Sequence, residues 1–143
     1  KRLRRSQTTI HEGGTVGDIT LNHTYTENLL ILKYDPLDRV ARQRKTTIDG
    51  NLQTYAITLE DMTYDANTNL LKTSLNDVYE TDVEGEALDV HYRESLTITG
   101  YNGIRLPTGQ VRVVTDIRDD ADGKVTTFTS ENMGYDTLKR LRR

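Results

Sequence analysis

The sequence predicts an all-β protein, and three observations carry that prediction: a surplus of threonine, period-two alternation of apolar residues, and glycine turn signals between the alternating stretches. Thr outnumbers Ala by 22 to 5 over 143 residues. Thr is β-branched and packs well on a pleated surface, whereas Ala is the best helix former. No segment repeats its apolar residues at the helical period.

The elements follow in order. In "ITLNHTY", Ile19, Leu21, His23 and Tyr25 share one face, with Thr20, Asn22 and Thr24 on the other. In "TYAITLEDMTY" the apolar phase runs through Tyr55, Ile57 and Leu59, then shifts to Met62 and Tyr64. A slip of that kind predicts a β-bulge near Glu60 and Asp61. In "VHYRESLTI", Val90, Tyr92, Leu96 and Ile98 align with Glu94 as the exception, and in "VRVVTDI" Val111, Val113, Thr115 and Ile117 align. Turns are expected at "TVGD", "IDGN", "VEGE", "PTGQ" and "ADGK", around Gly17, Gly50, Gly85, Gly109 and Gly123. Asp-Gly is a strong hairpin cue because a type I′ turn needs positive φ at both central residues.

The totals narrow the class. The length suits one domain spanning 1–143. A net charge of −3 sets up no global field for nucleic acid or anionic membrane. Without cysteine there is no disulfide framework or thiolate zinc site. No apolar run is long enough for a membrane helix, and the first residues lack the apolar stretch of a signal peptide. With 34% hydrophobic residues, no Trp and one Phe, a thick two-layer core is not expected; a sheet with one or both faces partly wet fits better.

Three stretches align without gaps: "YDPLDRVAR" from Tyr34, "YDANTNLLK" from Tyr64 and "YDTLKRLRR" from Tyr135. Their shared positions are Tyr34, Asp35 and Arg39, then Tyr64, Asp65 and Asn69, then Tyr135, Asp136 and Arg140. The opening "KRLRR" repeats the last five places of the third stretch, so the chain begins and ends in the same phase and reads as a segment of a longer one. Tyr supplies a flat side chain for stacking between strands. Asp at a strand exit accepts hydrogen bonds from turn N–H groups two or three residues on. The fifth position is where a type I turn plus bulge calls for positive φ.

This pattern resembles the Tyr-Asp (YD) repeat of the Rhs family, Tyr-Asp-x-x-Gly-Arg-Leu, shared by the B and C components of insecticidal toxin complexes and, more distantly, teneurins. The family's Gly is replaced by Asp38, Thr68 and Lys139; β-branched Thr enters the left-handed region poorly, which leaves Asn67 or Asn69 to take it at the second turn. The resemblance implies an antiparallel strip of hairpins that coils into a hollow shell around a toxic cargo. It implies neighbouring repeats or a companion shell subunit as partners, and a secreted or cell-surface location, most plausibly bacterial. Self-association through open strand edges is also expected, with the upstream half-motif placing Tyr four residues before Lys1 and Asp three before.

Candidate chemistry is sparse. His11, His23 and His91 stand in neither metal-ligand nor triad spacing, and read as strand residues. "DIRDDADGKV" fails the EF-hand template, with Arg118 and Thr129 at ligand places, and reads as a solvated hairpin tip. "YDPLDR" has no second Asp-Pro partner for an autoproteolytic role. "KRLRR" reads as an exposed strand with no interleaved aromatic residue, and "NHT" at 22–24 matters only on a eukaryotic secretory route. The expectation is a non-enzymatic protein with no catalytic, metal or cofactor site and no nucleic-acid partner. A second reading is an adhesive β-module that binds glycans or a cell-surface receptor through exposed Tyr and polar strand faces.

Overall fold

The computed structural model describes residues 2–118 and 123–141. They form one antiparallel sheet of nine strands: β1 (Arg5–Val16), β2 (Ile19–Tyr34), β3 (Val40–Asp49), β4 (Leu52–Thr58), β5 (Thr63–Tyr64), β6 (Leu71–Asp82), β7 (Ala87–Tyr101), β8 (Pro107–Asp116) and β9 (Val125–Ser130). The spatial order follows the chain, β1-β2-β3-β4-β6-β7-β8-β9, with β5 beside β6 as the continuation of β4. No helix occurs among the described residues. The all-β, antiparallel expectation therefore holds.

Alternation explains the two faces. Register places Ile31, Ala41, Val78 and Ile98, the four buried apolar residues among those described, on one face. Tyr55, Tyr79 and His91 lie side by side on the other. The Tyr55 and Tyr79 rings stack at 4.9 Å and 13°, and His91 meets Tyr79 edge-on. Neither face is covered by a second layer, so the apolar core is one residue deep. Ion pairs fill the gaps in the apolar pattern: Glu94, the exception to alternation in β7, binds Arg112 of β8 at 2.8 Å.

Two sequence expectations need correction. "PTGQ" is not a turn: Pro107–Asp116 is strand, and Gly109 pairs with Gly100. Gly109 is there for close approach, since an added Cβ would sit 2.4 Å from Thr99 Oγ1. The expected bulge near Glu60 and Asp61 is a full interruption. Thr58 faces Asn76 and Thr63 faces Thr73, so residues 59–62 loop out and part β4 from β5. Asp61 then holds Lys33 and Arg42 across the gap, at 2.5 and 2.6 Å. Gly17, Gly50, Gly85 and Gly123 all have positive φ in the turns expected for them, but neither Asp49 nor Asn51 joins Gly50 there, so "IDGN" is not the expected type I′ turn; "ADGK" lies partly outside the described residues.

Candidate functional site: the Tyr-Asp turns

Four hairpins build the sheet, and the mouth of each is closed in the same way. The hydroxyl of the last tyrosine donates to the carbonyl of the residue that opens the hairpin. Tyr34 reaches Leu3 at 2.5 Å, Tyr64 reaches Val40 at 2.6 Å, Tyr101 reaches Leu71 at 2.5 Å, and Tyr135 reaches Pro107 at 2.7 Å. These rings are half-buried, because no second layer covers them among the described residues. Burial still pushes the Tyr64 phenol above its ordinary pKa, so it stays a hydrogen-bond donor.

Each tyrosine leads into a tight turn organised by the next side chain. Asp35 Oδ1 accepts from the N–H groups of Leu37 and Arg39 at 2.8 and 3.0 Å. Asp136 Oδ1 accepts from Leu138 and Arg140, both at 2.9 Å. The second oxygen of each takes the Arg39 or Arg140 guanidinium Nε at 2.7 Å. Asp38 (φ 62) and Lys139 (φ 61) fill the left-handed place.

The turn after Tyr64 is one residue longer. Asp65 N–H donates to Leu70 rather than to the fourth residue on, and Asn69 takes the positive φ of 58. Thr68 avoids that conformation and instead donates its hydroxyl to Asp65 Oδ1 at 3.0 Å. Asn69 is thus the counterpart of Asp38 and Lys139, and Leu70 stands in the place of Arg39.

A fourth copy escaped the sequence reading. "YNGIRLP" carries Tyr101 and Asn102, whose Oδ1 accepts from Ile104 and Leu106 at 3.0 Å each, with Arg105 at φ 67. Asn presents the same acceptor oxygen as Asp, which is the signal that could have found it. The copy divides the uneven gap between Tyr64 and Tyr135.

Arginine adds a second link. Arg39 lies over the Tyr64 ring, 4.6 Å from its centroid, and donates to Asn69 Oδ1 at 3.0 Å. Arg2 repeats the arrangement over Tyr34 at 5.3 Å and pairs with Asp38. Arg2 and Leu3 therefore occupy the same places as Arg39 and Val40, as the matching "KRLRR" ends anticipate. Arg140 is held by Asp136, and Tyr135 bridges to Leu141 across the turn.

The remaining candidates are scattered. Among the described residues no group of three His, Asp or Glu is placed to hold a metal ion. His11 bonds Thr24, and His91 bonds Asp77 at 2.9 Å. His23 is less isolated than its spacing suggests. It sits between Glu12 of β1 at 3.2 Å and Asp49 of β3 at 2.9 Å, and these hydrogen bonds, Asp49 first, raise its pKa above 6.5. The imidazole ties three strands together. No family model matches the chain, and neither a curated protein nor a solved structure matches it.

Proposed function

We propose that the chain is a non-enzymatic wall segment of the YD-repeat (Rhs) type, part of a secreted bacterial shell that encloses and helps deliver a toxin or effector. The observation that carries this reading is the row of four Tyr-to-carbonyl latches, one per hairpin, all on one end of a single sheet. A wall needs many strands held in register and only a thin apolar layer. A latch repeated at every hairpin supplies register without a second layer. The outer edges of β1 and β9 lack strand neighbours among the described residues, which suits continuation by further hairpins of the same chain or a companion subunit.

The adhesive reading gains little from the aromatic residues. The Tyr55–Tyr79 stack takes up one face of each ring, which leaves less aromatic surface for stacking on a sugar.

The test extends the chain by one natural hairpin at each end. The wall reading expects a higher unfolding free energy and fewer aggregates than the 143-residue chain shows. Unchanged stability, with saturable binding to a glycan or receptor panel, would transfer the argument to the adhesive module.

A further inference from the structure

Large exposed apolar side chains are concentrated at the two ends of the sheet, although its broad faces have no covering layer. At the Tyr-Asp end, the same place in three turns, two residues after Asp or Asn, holds Leu37, Ile104 and Leu138, exposed by 68%, 56% and 70%. The turn itself does not require this, since only the backbone N–H of that residue is used. At the opposite end Val16 and Ile19 are 83% and 76% exposed, and Val83 is exposed in the turn between β6 and β7.

Among the described residues, the unpaired charges beside these side chains have opposite signs. Arg105 and Lys139 stand in two Tyr-Asp turns; Asp38, in the same place of the first turn, is paired with Arg2, and the Asp35, Asp65 and Asp136 carboxylates are occupied by turn N–H groups. Asp18, Glu84 and Glu86 stand in the turns at the other end, where Glu84 and Glu86 offer only backbone N–H to Asp82.

We propose that the Tyr-Asp end of one molecule docks on the glycine-turn end of a second copy of this chain. The contact is head-to-tail along the strand direction. Leu37, Ile104 and Leu138 meet Val16, Ile19 and Val83, with Arg105 and Lys139 facing Asp18, Glu84 and Glu86. Two different surfaces are joined, so the interface is heterologous and leaves one of each kind open on every oligomer. The row is only one sheet thick, which makes the association weak and sensitive to salt. The contact is separate from pairing at the β1 and β9 edges and does not depend on the shell reading.

The experiment is sedimentation equilibrium of the 143-residue chain at low and high ionic strength. The chain is expected to form a concentration-dependent ladder of oligomers that shortens in high salt. Leu37→Asp with Leu138→Asp removes one surface, and Val16→Asp with Ile19→Asp removes the other. Each double variant alone should be weakened by at least about tenfold in association constant, a loss of about 1.4 kcal/mol. Mixed one to one, the two should form a heterodimer and stop there. Arg105→Glu with Lys139→Glu should also weaken association, and Glu84→Lys with Glu86→Lys on the second molecule should restore it. That charge swap serves if an apolar-to-Asp variant fails to fold. Thr9→Pro in β1 and Thr127→Pro in β9, where the N–H groups point away from the neighbouring strand, control for edge pairing and should leave the ladder intact. A chain that stays monomeric, variants that associate like the parent, or a mixture that remains monomeric overturns the proposal. So does a ladder abolished by the proline variants alone.

Discussion

The two ends of the sheet make turns by different means. At the glycine-turn end, Gly17, Gly50, Gly85 and Gly123 enter positive φ without a side chain to clash. At the Tyr-Asp end, the positive-φ places hold Asp38, Asn69, Arg105 and Lys139. Those residues take a conformation that costs a non-glycine residue roughly 1–2 kcal/mol. The Asp hydrogen bonds do not by themselves distinguish the ends. Asp82 also accepts from two turn N–H groups, Glu84 and Glu86, at the glycine end. What only the other end has is a tyrosine before the Asp that closes the hairpin mouth, and arginine laid over that ring in two hairpins. Local geometry is relaxed where glycine takes the positive φ, and strained where tyrosine and arginine contacts over-determine the turn.

The comparison breaks most directly at Tyr64. Tyr64→Ala removes the ring under Arg39 and the bond to Val40, and should cost about 2–4 kcal/mol in denaturant unfolding. Tyr64→Phe keeps the ring and should cost about 1 kcal/mol, the net worth of one hydrogen bond. A loss below about 0.5 kcal/mol for the alanine variant would make the latch incidental. At the opposite end, Gly50→Ala meets no atom within 4 Å and is penalised only by its φ of 57. Its expected cost is about 1–2 kcal/mol. If Gly50→Ala proves the more damaging of the two alanine variants, the glycine end rather than the tyrosine end secures the sheet.

Much of the fold was legible because alternation and Asp-Gly signals are local. The latches were not, for a physical reason. Their acceptors are backbone carbonyls of Leu3, Val40, Leu71 and Pro107, and a carbonyl leaves no mark on residue type. Tyr101 was missed because Asn102 replaces Asp, and because the turn was expected at Gly109 while the positive φ falls on Arg105. An ungapped alignment also put Asn69 opposite Arg39, since one inserted residue is invisible until the hydrogen bonds are counted. The His23 bridge depends on partners 11 and 26 residues away, brought together by register alone.

The Tyr-Asp turns and His23 should answer pH in opposite directions. Turn N–H groups of Thr68 and Arg140 hold the Asp65 and Asp136 carboxyls below 3.8. Burial pushes Asp35 up, but the Arg39 and Leu37 N–H groups outweigh it, so it too is lowered. A depressed carboxyl contributes stability that is complete above its unfolded pKa and lost as pH falls through the lower folded value. Acidification below about pH 4 should therefore lower amide protection, measured against intrinsic exchange at the same pH, at Leu37, Arg39, Leu138 and Arg140. Ile104 and Leu106, held by Asn102, should not respond. His23 has the reverse sign: its raised pKa gives stability that is complete below 6.5 and lost as pH rises through the folded value. Alkalinisation through that range should loosen the outer part of the β1–β2 hairpin and leave the Tyr-Asp turns unchanged. Acid loosening of the Asn102 turn along with the others would show that the Asp carboxylates are not what holds these turns.

The smallest effect sharpens the contrast furthest. Arg105 stands in a left-handed place where the other end of the sheet would use glycine, and its guanidinium makes one long bond, 3.3 Å to the Thr68 carbonyl. Arg105→Gly relieves the backbone strain, loses that exposed bond, and adds freedom to the unfolded chain. The three contributions nearly offset, leaving an expected gain under about 1 kcal/mol. Paired with Gly50→Ala, it asks the same question in both directions: one variant imports glycine where side chains hold the turn, the other removes it where nothing does. The signs should be opposite in chemical denaturation. If Arg105→Gly destabilises by more than about 1 kcal/mol, the Arg105 side chain, and not the Tyr101–Asn102 pair, is what makes the turn.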